Sequence, residues 1–296
     1  MRRLTQKKFL IAENFSSWPD LHLPDGINLR DIAMTPASSH RCPRQVVAID
    51  CEMVAVGSGR FEGGKEKERN ELAQLCAVDV LTGVVLIDKL VLPREKVLNW
   101  NTRYSGVSYP KICAARESGR LLRGWQAARA ELLSFIDVNT IIVGHAVEND
   151  LHILRIAHSK IVDTSIQTAE AVYGDTERLG RTWGLKELAK SLPGLFVQVE
   201  KKKGHDCVED TLATREIALW CLNHHPELAE WATRMRVELE NKRVEREKKK
   251  EEDRKKTEAQ NEVPAGQGWP QIPLPPLGFE LSQGTSDNLN QLDASY

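Results

Sequence analysis

Val46-Val47-Ala48-Ile49-Asp50-Cys51-Glu52-Met53-Val54 is the stretch on which the reading of this chain turns. It is short, apolar for most of its length and bounded by Pro43 and Gly57, the pattern of a buried central strand. Side chains two apart on a strand share a face, so Val46, Ala48, Asp50 and Glu52 point one way. Two carboxylates on such a face repel each other and resist burial unless a cation sits between them. An exposed strand end with both acids solvated would account for the same pair, and Asp-x-Glu alone does not choose.

Working outward, residues 58–69 are rich in glycine and charge and are expected to form a loop. Residues 71–80 and 84–92 read as two strands joined by a tight turn at Leu81-Thr82-Gly83. Leu121, Leu122, Trp125, Ala128, Leu132 and Phe135 recur at helical spacing. A strand over 141–143, a turn at Gly144 and a helix over 147–157 follow. Then come a strand over 161–163 and helices over 166–173, 185–192 and 207–222. Strands in succession, then strands alternating with helices, predict an α/β fold with a mixed central sheet flanked by helices.

Four regions are expected. Residues 1–44 form an irregular, proline-bearing lead-in, 45–225 the α/β domain, 226–260 a charged helix, and 261–296 a disordered, Pro-rich tail. Arg2, Arg3, Lys7 and Lys8 give the start a faint likeness to a transit peptide, but no long amphipathic stretch follows. The basic run over 242–256 suits a solvated helix with i,i+4 pairs, with phosphate contacts or nuclear import as further readings. Pro270–Pro276 offers a weak polyproline ligand for a protein partner.

Composition narrows the class. The chain has 296 residues, 41% of them hydrophobic, enough for a sizeable core. No run approaches the ~20 apolar residues of a membrane span, so no membrane partner is expected. Six cysteines lie far apart without a C-x-x-C pair, which fits reduced thiols and not a zinc ribbon. A net charge of −1 argues against wholesale coating of nucleic acid, yet leaves room for an enzyme whose metal ions supply local positive charge.

Two further segments carry chemistry. In Gly144-His145-Ala146-Val147-Glu148-Asn149-Asp150, the acid Asp150 falls in the first turn of a helix, where the macrodipole alone would favour it. In Gly204-His205-Asp206-Cys207-Val208-Glu209-Asp210, Asp206 and Glu209 have the spacing of an N-cap and its capping-box partner. That leaves His205 just outside the helix and Asp210 one turn inside it. Lys201-Lys202-Lys203 reads as a solvated loop before a phosphate clamp, and His152 and His158 as ordinary helix residues. Taken together, Asp50, Glu52, Asp150 and Asp210 with one histidine suit two Mg²⁺ ions, which prefer carboxylate and phosphate oxygens.

The ordered set resembles the DEDDh-type 3′→5′ exonucleases of the ribonuclease H-like superfamily. Ile49-Asp50-Cys51-Glu52-Met53-Val54, Val143-Gly144-His145-Ala146 with Asn149-Asp150-Leu151, and His205 through Asp210 match its three motifs. Thr102-Arg103-Tyr104-Ser105-Gly106-Val107, Ile161-Val162-Asp163-Thr164 and Gly184-Leu185-Lys186-Glu187-Leu188-Ala189 bring it nearer the Rex-type RNA exonucleases and the interferon-induced exonuclease, over about residues 46–222. Asn101, Cys207 and Thr211 depart from that pattern.

The resemblance implies a ribonuclease H-like fold and hydrolysis at the 3′ end of single-stranded nucleic acid, RNA before DNA, releasing nucleoside 5′-monophosphates. It implies that Asp50, Glu52, Asp150 and Asp210 hold two Mg²⁺ ions, with Mn²⁺ as a substitute, and that His205 is the general base. Met53 would pack the terminal base, Arg103 would contact a phosphate, and Asp163 would order a strand end. It also implies nuclear residence, with the cytoplasm as the alternative. A reading of another class, a non-catalytic nucleic-acid-binding scaffold, would be marked by loss of an acid or of the histidine, and none is missing.

Overall fold

The computed structural model of the chain describes residues 26–38, 42–174, 180–200 and 204–261. A short strand, β1 (Ala33–Met34), precedes β2 (Val46–Glu62), which carries the stretch read first. β2 turns into β3 (Lys65–Asp79), and β3 into β4 (Val85–Leu92), all antiparallel. Residues 58–69, expected as a loop, are the outer half of the β2–β3 hairpin. Gly63 and Gly64 have φ of 58° and 77°, the left-handed pair a two-residue hairpin turn needs. The flanking side chains are mostly charged, so no apolar alternation marks the strands, and backbone pairing such as Phe61↔Glu66 holds the ladder.

Beyond β4 lie β5 (Val97–Asn99), α1 (Thr102–Ser105), α2 (Tyr109–Glu117), β6 (Leu122–Arg123) and α3 (Gly124–Leu133). Next come β7 (Ile141–Gly144), α4 (Glu148–Leu154), β8 (Ile156–Ala157), β9 (Ile161–Asp163) and α5 (Thr164–Tyr173). α6 (Leu185–Ser191), α7 (Cys207–Asn223) and α8 (His225–Asn261) complete the described elements. The main sheet runs β6-β4-β3-β2-β7-β9, with β5 added against the far part of β2. β7, β9 and β6 join in parallel, so the mixed sheet expected from the strand pattern is the one observed.

Two expected helices are shorter than their patterns. The apolar pattern at 121–135 opens as β6 before α3 begins at Gly124, and the helix expected to reach 157 stops at Leu154, where Arg155 turns left-handed with φ 56° and feeds β8. β5, α1 and α2 are too short or too polar to show a period.

Alternation along β2 decides the layers. Val47 and Ile49 face one way, into a core with Trp125, Ala128 and Leu132 of α3 and Leu151 and Leu154 of α4. Ala48, with partly buried Val46, faces the other way, against Ala218 of α7 and Val143. Asp50 and Glu52 continue that second face toward the start of α7, as the period of two requires.

A further cluster joins α5, α6, α7 and the first turns of α8 around Trp183 and Trp231. The two indoles meet edge to face, with centroids 5.2 Å apart. Packing therefore runs past residue 225 without a break. The chain divides into two compact units that part between Lys242 and Arg243. In the second, exposed helix carries the i,i+4 pairs expected of it, Arg254 with Glu258 at 3.5 Å and Lys255 with Glu251 at 3.6 Å. No helix among the described residues is long and apolar enough to cross a membrane. The first 25 residues, Lys201–Lys203 and the Pro-rich tail past Asn261 lie outside the described residues.

Candidate active site

β7 pairs with β2 only over Val46–Ala48 and β5 only from Ala55, leaving the β2 edge between them open to the turn that follows β7. Asp163, at the end of β9, shapes that turn: its carboxylate accepts from Ala146 N and Val147 N, both at 3.1 Å. It also caps α5 by accepting from Ser165 N at 2.9 Å and Ser165 Oγ at 2.6 Å. Asp163 thus orders the strand end, as expected. His145 in the same turn meets Thr164 Oγ1 at 3.0 Å, and burial pushes its imidazole down to about 4, a neutral structural residue. The braced turn presents Asp150, 5% exposed, to the back of the Asp50–Glu52 edge, where Cys51 hydrogen-bonds to it.

The third side is the start of α7. Asp206 caps that helix, accepting from Val208 N at 3.0 Å and Glu209 N at 3.1 Å. Glu209, expected to complete a capping box, instead accepts from the backbone of Gln198 at 2.8 Å. Asp210 and His205 come together, Nδ1 to Oδ2, at 3.3 Å. The segment 102–107 secures His205: Tyr104 O accepts from His205 N at 3.0 Å. A Cβ on Gly106 would stand 2.1 Å from His205 O, and one on Gly204 2.2 Å from Thr102 O, so both glycines are needed for this approach.

The acids predicted from sequence therefore converge. Glu52, His205 and Asp210 offer ligand atoms within 4.8 Å of one another, and so do Asp50, Glu52 and Cys207. Asp150 belongs to neither group but stands close enough to Asp50 for the Asp50 charge to raise its proton affinity. Met53 packs against the main core and borders a cavity of about 340 Å³ with Asn70, Asn101, Asn149 and His152. Arg103 is exposed on α1, its guanidinium 5.9 Å from the Tyr104 ring centroid, and makes no ion pair with the acids among the described residues.

The electrostatics are those of a cation-binding site. Burial, then the charge of Asp210, pushes the Asp50 carboxyl up to about 7. Burial, then Asp50 and Asp210, pushes Glu52 up to about 9. Asp150 and Asp210 are raised as well, each chiefly by burial, with Asp210 partly rescued by hydrogen bonds from Gln198 and by His205. Groups that hold protons this firmly become ligands once a divalent ion compensates their charge. Cys207 is a weaker candidate ligand. Burial holds its thiol well above the ordinary range, and its Sγ donates to Asp50 O at 3.4 Å. A protonated thiol is a poor ligand, which leaves the carboxylate oxygens of Asp50 and Glu52 in that group. The residues present thus fit two hard divalent ions.

Gln198 is the residue sequence reasoning missed. Its amide donates to both Asp210 oxygens, at 3.1 and 2.9 Å, while Lys186 Nζ holds its carbonyl at 2.6 Å. Its backbone is left-handed, φ 53°, so these anchors hold a conformation the residue would not choose alone. No local pattern announces a glutamine brought in from a loop.

The exonuclease family model RNase_T matches residues 47–218. The chain is 33% identical over 212 residues to RNA exonuclease 4 of Candida albicans, covering 68% of this chain and 65% of that protein. It is 29% identical over 182 residues to RNA exonuclease 3 of Candida albicans, covering 61% and 39%. To human interferon-stimulated 20 kDa exonuclease-like 2 it is 33% identical over 182 residues, covering 61% and 46%. The chain thus spans less than two thirds of the length of these relatives. In fold it is similar to the pseudoubiquitin hydrolase-RNA exonuclease module of Saccharomyces cerevisiae Pan2 in complex with AAGGAA RNA. The TM-score is 0.55 at 20% identity, over 70% of this chain and 34% of that one.

Proposed function

The chain belongs to the RNase_T exonuclease family, in its DEDD-type branch, and from that premise we propose that it removes nucleoside 5′-monophosphates from the 3′ end of single-stranded RNA in the presence of Mg²⁺. The observation that carries this reading is the meeting of Asp50, Glu52 and Asp210 with His205 on one side of β2. Asp50, Glu52 and Asp210 would hold one ion, and Asp150 would complete the second position beside Asp50. Two divalent ions there would supply the charge that activates water and stabilises the leaving oxygen of an in-line cleavage. Oxygen donors favour Mg²⁺, with Mn²⁺ as a substitute.

His205 would act as the general base. With Nδ1 on Asp210, Nε2 is the nitrogen left to accept the water's proton. Its side chain is 37% exposed, so the proton has a route to solvent. Met53, beside Glu52 at the mouth of the Asn70–Asn101–Asn149 cavity, would pack the terminal base. Arg103, exposed one residue before Tyr104, would meet a phosphate.

RNA is preferred over DNA because the curated relatives are RNA exonucleases by name. Nuclear residence is part of the same reading, supported by the basic run over 242–256, and cell fractionation checks it. The test of substrate is a pair of 5′-labelled oligomers of one sequence, RNA and DNA, incubated with Mg²⁺. A descending one-nucleotide ladder faster on RNA supports the proposal. A faster DNA ladder moves the substrate to single-stranded DNA, and intact oligomers of both kinds return the chain to a binding module.

A further inference from the structure

The sheet edge away from β9 carries a basic cleft that the catalytic reading does not use. A cavity of about 910 Å³ opens there, and Arg94, Arg116 and Arg123 line it together with Leu92 and Gln126. Among the described residues, no acidic side chain lines it. All three arginines are exposed, and among the described residues none of the three guanidinium groups forms an ion pair or a hydrogen bond. Exposed arginines are ordinarily just solvated, so their placement has to carry the argument.

Two observations do so. The first is local charge. Residues 93–126 hold seven basic residues against two acids, in a chain whose net charge is −1. The second is the path. Glu52 pairs with Gln74, and Gln74 with Leu90, across three adjacent strands, while Leu92 pairs with Arg123 on the next. At ~4.8 Å per strand, the cleft begins about 14 Å from the acids, measured across the sheet. Between the two lies a smaller groove of about 270 Å³ lined by Gln74, Leu90, Lys111 and Arg120. Its one acid among the described residues, Asp88, is engaged by Gln74 Nε2 at 2.9 Å. Lys111 at the inner end is near enough to Glu52 to lower that carboxyl's proton affinity. Positive groups therefore lead stepwise from the acids to the cleft.

We propose that Arg94, Arg116 and Arg123 form a second phosphate-binding site, which holds the backbone of a single-stranded nucleic acid upstream of the end that enters the acids. The site rests on the proposed reading for its ligand, but not on turnover. Guanidinium forks match phosphate oxygens and read no base, so the cleft would set affinity and minimum substrate length without choosing sequence. A strand of two or three nucleotides would fill the acids and stop short of the cleft, whereas a strand of twelve would reach it.

The test uses the full chain with all three arginines changed, Arg94→Gln, Arg116→Gln and Arg123→Gln, substitutions at exposed positions that leave the core untouched. Binding of a 5′-fluorescent 12-mer is measured against a trimer of the same 3′ sequence, in EDTA and over a range of salt. The expected result is at least a tenfold loss for the 12-mer and less than twofold for the trimer. The slope of log K against log salt should become shallower by about 2, the value for three phosphate contacts to a single strand. Equal effects on both lengths, or no effect on either, would overturn the proposal. The latter is also the outcome if the cleft serves an acidic protein partner instead. A chain without nuclease activity would still give these binding curves, so failure of the catalytic reading and failure of the cleft are told apart.

Discussion

Glu52→Gln should make the metal-free protein more stable at alkaline pH, although it removes a proposed metal ligand. In the unfolded chain Glu52 loses its proton at the ordinary 4.5, while in the fold, burial and the charges of Asp50 and Asp210 hold that proton up to about 9. Below both values the carboxyl is neutral in both states and costs nothing. As pH rises through this window the unfolded chain releases the proton first, so the native state binds more protons and stability falls. By about pH 9 the penalty is complete.

Each pKa unit corresponds to about 1.4 kcal/mol, so the whole shift would reach ~6 kcal/mol. Glutamine keeps the burial of a polar group, and part of the repulsion is shared with Asp50, itself pushed up to about 7. The gain expected from the variant is therefore ~2–4 kcal/mol at pH 8, falling toward zero at pH 5. At about 2–4 °C per kcal/mol for a unit of this size, Tm should rise by ~4–16 °C. Thermal melts in EDTA at pH 5 and pH 8 read it directly. Millimolar Mg²⁺ should then stabilise the wild type more than the variant. Parallel pH profiles for the two proteins, or a variant less stable at pH 8, would refute the electrostatic account.

His205→Ala should lower turnover about 10²–10⁴-fold while leaving Mg²⁺ binding and oligomer affinity largely intact, since a positioned base contributes about that much; a loss under about threefold in single-turnover assays would remove the role. Gln198→Ala should lower the Mg²⁺ concentration for half-maximal activity, because the amide that donates to both Asp210 oxygens no longer competes with the ion; a metal titration giving an unchanged or higher midpoint would show that Gln198 braces the site instead. Trp231→Ala should cost about 3–5 kcal/mol, seen as a lower urea midpoint, because Trp231 is 2% exposed against Trp183. A chain ending at residue 225 should lose cooperative melting for the same reason.

Where the pattern is strong and the ends are capped, sequence and structure agree closely. β9 occupies Ile161–Asp163 and α7 begins at Cys207, because an aspartate stands at the N-cap of each following helix. The acids of the candidate site were legible for a related reason: a period of two puts Asp50 and Glu52 on the face that α7 covers. The outer hairpin over 58–69 was not legible from hydrophobicity, since its strands are charged, although Gly63-Gly64 is the turn signal they needed. α2 hid behind weak amphipathicity, although Pro110 marks a helix's first turn. Glu209 had the spacing of a capping box, but the loop bearing Gln198 competes for its carboxylate, and only tertiary packing brings that loop there.

The central claim is metal-dependent removal of nucleotides from the 3′ end by the Asp50–Glu52–Asp210–His205 group, and a 3′-labelled RNA oligomer followed through its first turnover tests it most directly. The expected result is that the label appears first as a nucleoside 5′-monophosphate, with Mg²⁺ but not EDTA, and not with Asp50→Asn. Label released first in longer fragments, or released equally by the Asp50→Asn protein, would contradict it.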